Sequence, residues 1–359
     1  MIANTEARDF DVIEVTNEMP PNRIGGVGTV VENLLSGFAA IGVRTLWFLV
    51  DHGYQPFEID RMLSEYPCGA IGTPEELKRF AAPITHLHSY HHNPDLIGAL
   101  NGTRTVFTIH SLLVQEERSN DVKLTSAVGW QEGLIAACNQ VVLVSDAERR
   151  HYHALGYDRL NPRVRVVHNG LREVAPVPAR APSRVLGFCG RLVPRKHPEY
   201  VQMILREPGF ENHRTMIAGK AFSRYARDLL REWDIEDRVD YLGWCGGARL
   251  EAFYAAIDVL AIPSVYEPFC MAALEAVARG IPVVCTRIDG LAEVLGDSAF
   301  FCESDSYADF RAAMLRWAAA PQAQLLELTR AARLRYQSRF TDIAMAQNYR
   351  RLFEEVARL

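Results

Sequence analysis

Two series of short apolar runs, separated by one proline-rich stretch, constrain this chain more than any other feature. Residues 12–15, 45–50, 105–109, 141–144 and 164–167 read as strands, with longer helical patterns such as 29–41 and 130–138 between them. Residues 172–184, REVAPVPARAPSR, have no clear period and read as a linker. A second alternating series follows at 185–189, 214–218, 239–242, 259–262 and 282–286, and residues 325–359 are charged and helical. Strand and helix in alternation build a parallel sheet covered by helices. The expected architecture is therefore α/β: two Rossmann-like domains facing across a cleft, with ligands at the carboxyl ends of the strands. The expected divisions are 1–173, 174–335 and a terminal helical segment, 336–359.

Composition narrows the function. A chain of 359 residues, 48% apolar and 23% charged, is long enough for two cores and ordinary for a soluble enzyme. Its net charge of −5 carries no nucleic-acid footprint. No apolar run reaches the length of a membrane span, and the start, MIANTEARDFDVIEV, is acidic rather than signal-like, so a cytoplasmic protein is expected. The seven cysteines never form C-x-x-C and read as reduced thiols, with no zinc site.

Residues 263–282, PSVYEPFCMAALEAVARGIP, place Glu267 and Glu275 across a loop-to-helix junction. Pro268 marks the loop, residues 271–279 favour helix, and Gly280 and Pro282 stop it. The free N–H groups of such a first turn make an anion site, and a carboxylate on either side suits a diphosphate between a ribose and a sugar. The plain alternative is a helix-dipole complement and a solvated loop acid.

Two glycine-bearing segments stand beside strand ends. Residues 22–30, NRIGGVGTV, follow the first strand and open a helix, but Val31 occupies the last glycine position of a dinucleotide fingerprint counted from Gly26, so a structural turn is the competing reading. Residues 188–196, FCGRLVPRK, gather Arg191, Arg195 and Lys196, either as phosphate ligands or as a solvated charged face. His86, His88, His91 and His92 cluster without ligand spacing and read as neutral loop or core histidines. His110 ends the strand TVFTIH, where it suits a general base or a strand cap.

The ordered set GGVG (25–28), FTIH ending at His110, VSDAER (144–149), VVHNG (166–170), GRLVPRK (190–196), IAGK (217–220), YLGW (241–244) and E-x7-E (Glu267, Glu275) runs through the whole chain. In these motifs the chain resembles the retaining glycosyltransferases of family 4, which have the GT-B fold. The resemblance implies that Arg191 and Lys196 hold the donor diphosphate, helped by the amides of Phe269, Cys270, Met271 and Ala272. It assigns Glu275 to ribose hydroxyls, Glu267 to the transferred sugar and His110 to the reaction centre. Gly26 would close over the diphosphate, Gly243 would frame the base, and Asn169 and Gly170 would be structural. The C-terminal helix would return to the first domain. Where the family has glycine after E-P-F, this chain has Cys270. Binding is expected to survive there, with the helix start lowering the thiol pKa.

The implied chemistry is transfer of a hexose from a nucleotide diphosphate sugar, UDP-sugar favoured, to an acceptor hydroxyl with retention. No cofactor or metal is called for beyond the co-substrate, because Arg191 and Lys196 supply positive charge. Residues 57–80 and 112–124 mix acids and bases, so the expected acceptor is small and soluble, such as a sugar, an aminocyclitol or a natural-product core, without membrane association. A nucleotide-sugar epimerase of the same fold, a phosphorylase and a non-catalytic glycosyltransferase-like partner are the competing readings.

Overall fold

The structure, a computed structural model, describes residues 10–19, 25–50, 55–66, 68–88, 94–100, 102–120, 122–178, 180–233 and 237–359. His91 and His92 lie outside these residues. The chain divides into two compact units. The first takes its described residues from Met1–Gln115, Lys123–Arg172 and Phe340–Leu359, and the second from Glu116–Val122 and Glu173–Arg339.

The first unit is built on strands β1 (Val12–Thr16), β2 (Thr45–Val50), β3 (Gly69–Gly72), β4 (Ile84–Leu87), β5 (Arg104–Ile109), β6 (Gln140–Leu143) and β7 (Val164–Val166). They form one parallel sheet in the order β3-β2-β1-β4-β5-β6-β7, so the chain reverses its winding between β1 and β4. Burial alternates along β2: Leu46, Phe48 and Val50 enter one core, and Trp47 and Leu49 the other. Both faces are therefore covered, as parallel sheets require.

The helix Asp342–Val356 packs on the helix Gly26–Ala40 within this unit. Contact is close because Gly37 has no side chain: a Cβ there would lie 2.4 Å from the Asp342 carbonyl oxygen. Ser36 Oγ also donates to Asp342 Oδ2 at 3.1 Å. Among the described residues, no helix is long and apolar enough to cross a membrane.

The second unit carries β8 (Val185–Cys189), β9 (Arg214–Ala218), β10 (Val239–Gly243), β11 (Val259–Ile262), β12 (Val283–Thr286) and β13 (Phe300–Cys302). All its pairings are parallel, in the order β10-β9-β8-β11-β12-β13, with the switch between β8 and β11. Leu186, Phe188, Ile217, Val259, Ala261 and Val284 fill one core against Phe310 and Met314 of the helix Tyr307–Ala319.

Three strands escaped the sequence reading, and each has a local reason. β3 is GAIG, with glycine at both ends; β4, ITHL, breaks its apolar run with threonine and histidine; and β13 is only three residues long. The expected linker is also corrected in part. Residues 173–178 and 180–184 form no helix or strand, but they are fastened onto the second unit. Val177 N–H donates to the Arg279 carbonyl at 2.9 Å, and the Arg180 guanidinium reaches the carbonyls of Ala255, Ala256 and Ile257.

Candidate donor and sugar site

In the second unit, β11 ends at Ile262 and the chain turns through residues 263–270 into the helix Met271–Ala278. Gly290 lets this turn pack tightly, since a Cβ there would lie 2.4 Å from the Pro268 carbonyl oxygen. Gly290 N–H also donates to the Glu267 carbonyl at 3.2 Å. The turn folds Glu267 inward, where it is 4% exposed, against the short 3-10 helix Pro194–Lys196 that follows β8.

Lys196 Nζ donates to Glu267 Oε1, and Ser264 Oγ donates to the same oxygen at 2.9 Å. Arg195 Nη1 lies 3.8 Å from it. Burial alone would raise the Glu267 pKa, but Lys196 and Arg195 outweigh it and hold the carboxyl below its usual range. Glu267 is therefore a carboxylate, bonded to Lys196.

One turn along, Glu275 is buried and accepts from the Tyr254 hydroxyl at 2.7 Å. Burial pushes the thiol of Cys189, at the end of β8, up to about 12, with the Glu275 carboxylate adding to the rise and Lys196 opposing it. Met271 and Ala272 open the helix, where first-turn N–H groups lack intrahelical acceptors. Phe269 is buried just ahead of them. Gly243 ends β10, its carbonyl accepting from Gly219 N–H at 2.8 Å.

The three cations of residues 191–196 are divided. Arg191 pairs with Glu116 at 3.2 Å and stays partly exposed. Arg195 is buried, bonding the Tyr266 carbonyl at 2.5 Å and Glu116 at 3.4 Å. Arg195 thus clamps the loop that carries Glu267.

Cys270 takes φ +78°, the left-handed conformation that glycine adopts without strain. That is the physical reason for a glycine after E-P-F. The expected lowering of its thiol pKa is overturned: the side chain is buried, and burial, with Glu267 adding, pushes it up to about 12.

In the first unit, Glu18 Oε2 accepts from the N–H groups of Gly25 (3.0 Å) and Gly28 (3.2 Å), so the helix that begins at Gly26 is capped by the chain's own carboxylate. His110 follows β5 and is half-buried. The next residues are pinned: Leu112 N–H donates to Glu148 at 2.7 Å and Leu113 N–H to Gln131 at 3.0 Å. Glu148 belongs to VSDAER, whose Ser145 caps the helix Asp146–Ala154 by accepting from Glu148 N–H at 3.0 Å. That motif supports the turn after His110.

His86 and His88 are core residues, as read, but not isolated ones. With Glu14 they bring three potential metal-ligand atoms within 4.8 Å of one another. The distances would accommodate an ion, yet Glu14 Oε2 already contacts His88 Nε2 at 2.5 Å and His86 Nδ1 at 2.8 Å.

Two family models match adjoining stretches of the chain: Glycosyltransferase Family 4 over residues 24–173 and Glycosyl transferases group 1 over 173–335. The chain belongs to the group 1 glycosyltransferases. The fold is GT-B-like. It superimposes on sucrose-phosphate synthase from Thermosynechococcus elongatus with a TM-score of 0.76 and 19% identity, over 97% of this chain and 99% of that one. Anabaena HepE, solved in complex with UDP and glucose, gives 0.73 and 17%, over 96% and 99%.

Among curated relatives, a D-inositol 3-phosphate glycosyltransferase of Saccharomonospora viridis is 31% identical over 256 residues, 63% of this chain and 58% of that protein. An uncharacterized glycosyltransferase of Methanocaldococcus jannaschii is 37% identical over 32% of this chain and 30% of its own length. The chain thus matches between 30% and 58% of the length of these two relatives.

Within this family frame, sequence reasoning passed over Ser264, Tyr254 and Glu14. Ser264 was legible three residues before Glu267. Tyr254 and Glu14 reach their partners only through tertiary packing, 21 and 74 residues away in the chain.

Proposed function

We propose that this protein transfers a hexose from a nucleotide diphosphate sugar, UDP-sugar favoured, to a hydroxyl of a small soluble acceptor, with retention of the anomeric configuration. The observation that carries the reading is the buried cluster of Lys196, Glu267 and Glu275 at the start of the helix Met271–Ala278. It joins a cation, an anion-binding helix end and two sugar-hydroxyl acceptors in one place. UDP and glucose bound to HepE support the donor class, and the inositol phosphate named for the curated relatives supports a small polyol acceptor.

In the proposed reaction the acceptor oxygen bonds to the anomeric carbon as the bond to the diphosphate oxygen breaks on the same face. The leaving diphosphate takes the acceptor's proton. Lys196, Arg191 and the amides of residues 269–272 stabilise its charge, so no metal is needed for that task. Glu275 binds the ribose, Gly243 frames the base, Glu267 and His110 are assigned to the transferred sugar, and Gly26 to the diphosphate. A cytoplasmic location belongs to the same reading, since nucleotide sugars would be the substrate.

The test is a thermal-shift panel with UDP, GDP, ADP and dTDP. A diphosphate at 100 times its Kd adds about 2.7 kcal/mol, a shift of a few degrees. Stabilisation by one of them, lost in Glu275→Ala, names the donor class. A folded protein that none of the four stabilises would overturn the proposal.

A further inference from the structure

Three neighbouring strands of the first sheet place polar side chains at alternate positions: Glu14 on β1, His86 on β4 with His88 just past its end, and Thr108 on β5 with His110 just past its end. Glu14 pairs in register with His86, so both side chains share one face of the sheet. Glu14, His86, His88 and Thr108 are at most 1% exposed. A run of buried polar groups at the end of a core sheet is costly unless each is satisfied by another.

The contacts form a chain that ends at His110. The Tyr349 and Thr108 hydroxyls are 2.8 Å apart, and Thr108 Oγ1 lies 2.7 Å from His86 Nε2. His86 Nδ1 and His88 Nε2 both approach Glu14 Oε2, the first at 2.8 Å but out of hydrogen-bond alignment, the second in line at 2.5 Å. His88 Nδ1 then lies 3.2 Å from His110 Nε2, with the ring centroids 5.4 Å apart and the ring planes inclined by 24°. Among the described residues, no partner is seen for His110 Nδ1.

We infer that Glu14 and His88 are positioning residues that hold His110 in a single orientation and tautomer, with hydrogen on Nε2 and the lone pair on Nδ1. The direction follows from donor and acceptor chemistry. A carboxylate oxygen can only accept, so His88 Nε2 carries the hydrogen. In a neutral ring that makes His88 Nδ1 an acceptor, and His110 Nε2 must donate to it. His110 is thereby left to accept a hydrogen bond at Nδ1, as from a hydroxyl of the transferred sugar; this last step rests on the function proposed above. Ionisation supports the direction in one respect: the Glu14 carboxyl is held near 2 against the rise that burial alone would give, so its oxygens can only accept. Burial holds His110 well below its ordinary range, so it is neutral at the pH of the test.

The test is a long-range proton–nitrogen spectrum of the full chain labelled with 15N-histidine, the His110 signals being assigned by their loss in His110→Gln. At pH 7.5 the parent is expected to show His110 protonated on Nε2 alone. His88→Phe removes the acceptor and should leave an average of both tautomers; His88→Gln, whose amide oxygen can accept, should restore the parent pattern. With UDP-glucose as probe, the Phe variant should lose at least about tenfold in kcat with KM unchanged, the usual scale for losing a partner that fixes a histidine tautomer, and the Gln variant should recover part of it. A parent ring protonated on Nδ1, an averaged parent ring, or a His88→Phe ring that keeps the parent tautomer each overturns the inference. A parent inert toward UDP-glucose counts against the transfer reading alone, because the spectrum decides the tautomer without turnover.

Discussion

The Tyr254 hydroxyl donates to Glu275 Oε2 at 2.7 Å, tying the helix Ala248–Ala256 to the helix Met271–Ala278. One carboxylate oxygen of the proposed ribose ligand is thus held in place before any ligand arrives. A hydrogen bond to a charged group contributes about 1.5–3 kcal/mol. Tyr254→Phe should therefore weaken UDP binding by roughly tenfold or more while keeping the ring's packing. Calorimetric titration decides this, and unchanged affinity would show that Glu275 needs no such orientation.

Lys196 and Glu267 are both buried and bonded to each other, which changes what a single substitution measures. Lys196→Met strands a buried carboxylate and should cost about 3–5 kcal/mol in urea unfolding. Adding Glu267→Gln should return most of that stability without returning activity. A folded Lys196→Met variant with the parent turnover of UDP-sugar would remove Lys196 from the site.

Cys270, in its left-handed conformation, offers a backbone test. Cys270→Gly and Cys270→Ala both delete the thiol, but only glycine relieves the φ strain. The Gly variant should be more stable than the Ala variant by about 1 kcal/mol. The reverse order in thermal melts would mean that the turn relaxes to another conformation. Peroxide should leave the parent thiol largely untouched, since burial keeps it protonated.

Acid should destabilise the first unit in two stages. Burial lowers the His86 pKa from 6.5 to about 4 despite the pull of Glu14, so below pH 6.5 the unfolded chain takes up a proton that the folded chain refuses. Stability from His86 is complete above about pH 6.5 and falls as pH drops toward 4. Glu14, held near 2 against an ordinary 4.5, then loses its contribution between those values. His88, His110 and Tyr349 (through Thr108) are the other titratable groups on this network. Melting temperatures taken from pH 8 to pH 3 should fall from about 6.5 downward in the parent. In His86→Phe the slope between 6.5 and 4 should be shallower.

The two windings of strand and helix were legible because each buried strand is a run of β-branched and apolar residues, as in residues 45–50 and 259–262. β3 and β4 were not, since glycine at both ends of the one and threonine and histidine within the other break the apolar run. At the site, the carboxylates of E-x7-E and the cations after β8 were visible as motifs. Which cation meets which acid was not. Arg195 and Lys196 are adjacent in sequence, yet the 3-10 turn sends Arg195 to Tyr266 and Glu116 and Lys196 to Glu267.

By itself the sequence determined two α/β halves, the motifs that place this chain among glycosyltransferases, and the residue types available for phosphate and sugar. Periodicity and motif spacing are local, so the chain states them directly. Tertiary structure alone decided that Glu14 faces His88, that Tyr254 holds Glu275, and that the Cys270 thiol is raised rather than lowered in pKa. Those outcomes depend on burial and on partners distant along the chain. The cost of leaving a buried polar group unpaired, which selects those partners, exists only once the sheets and helices have closed around it.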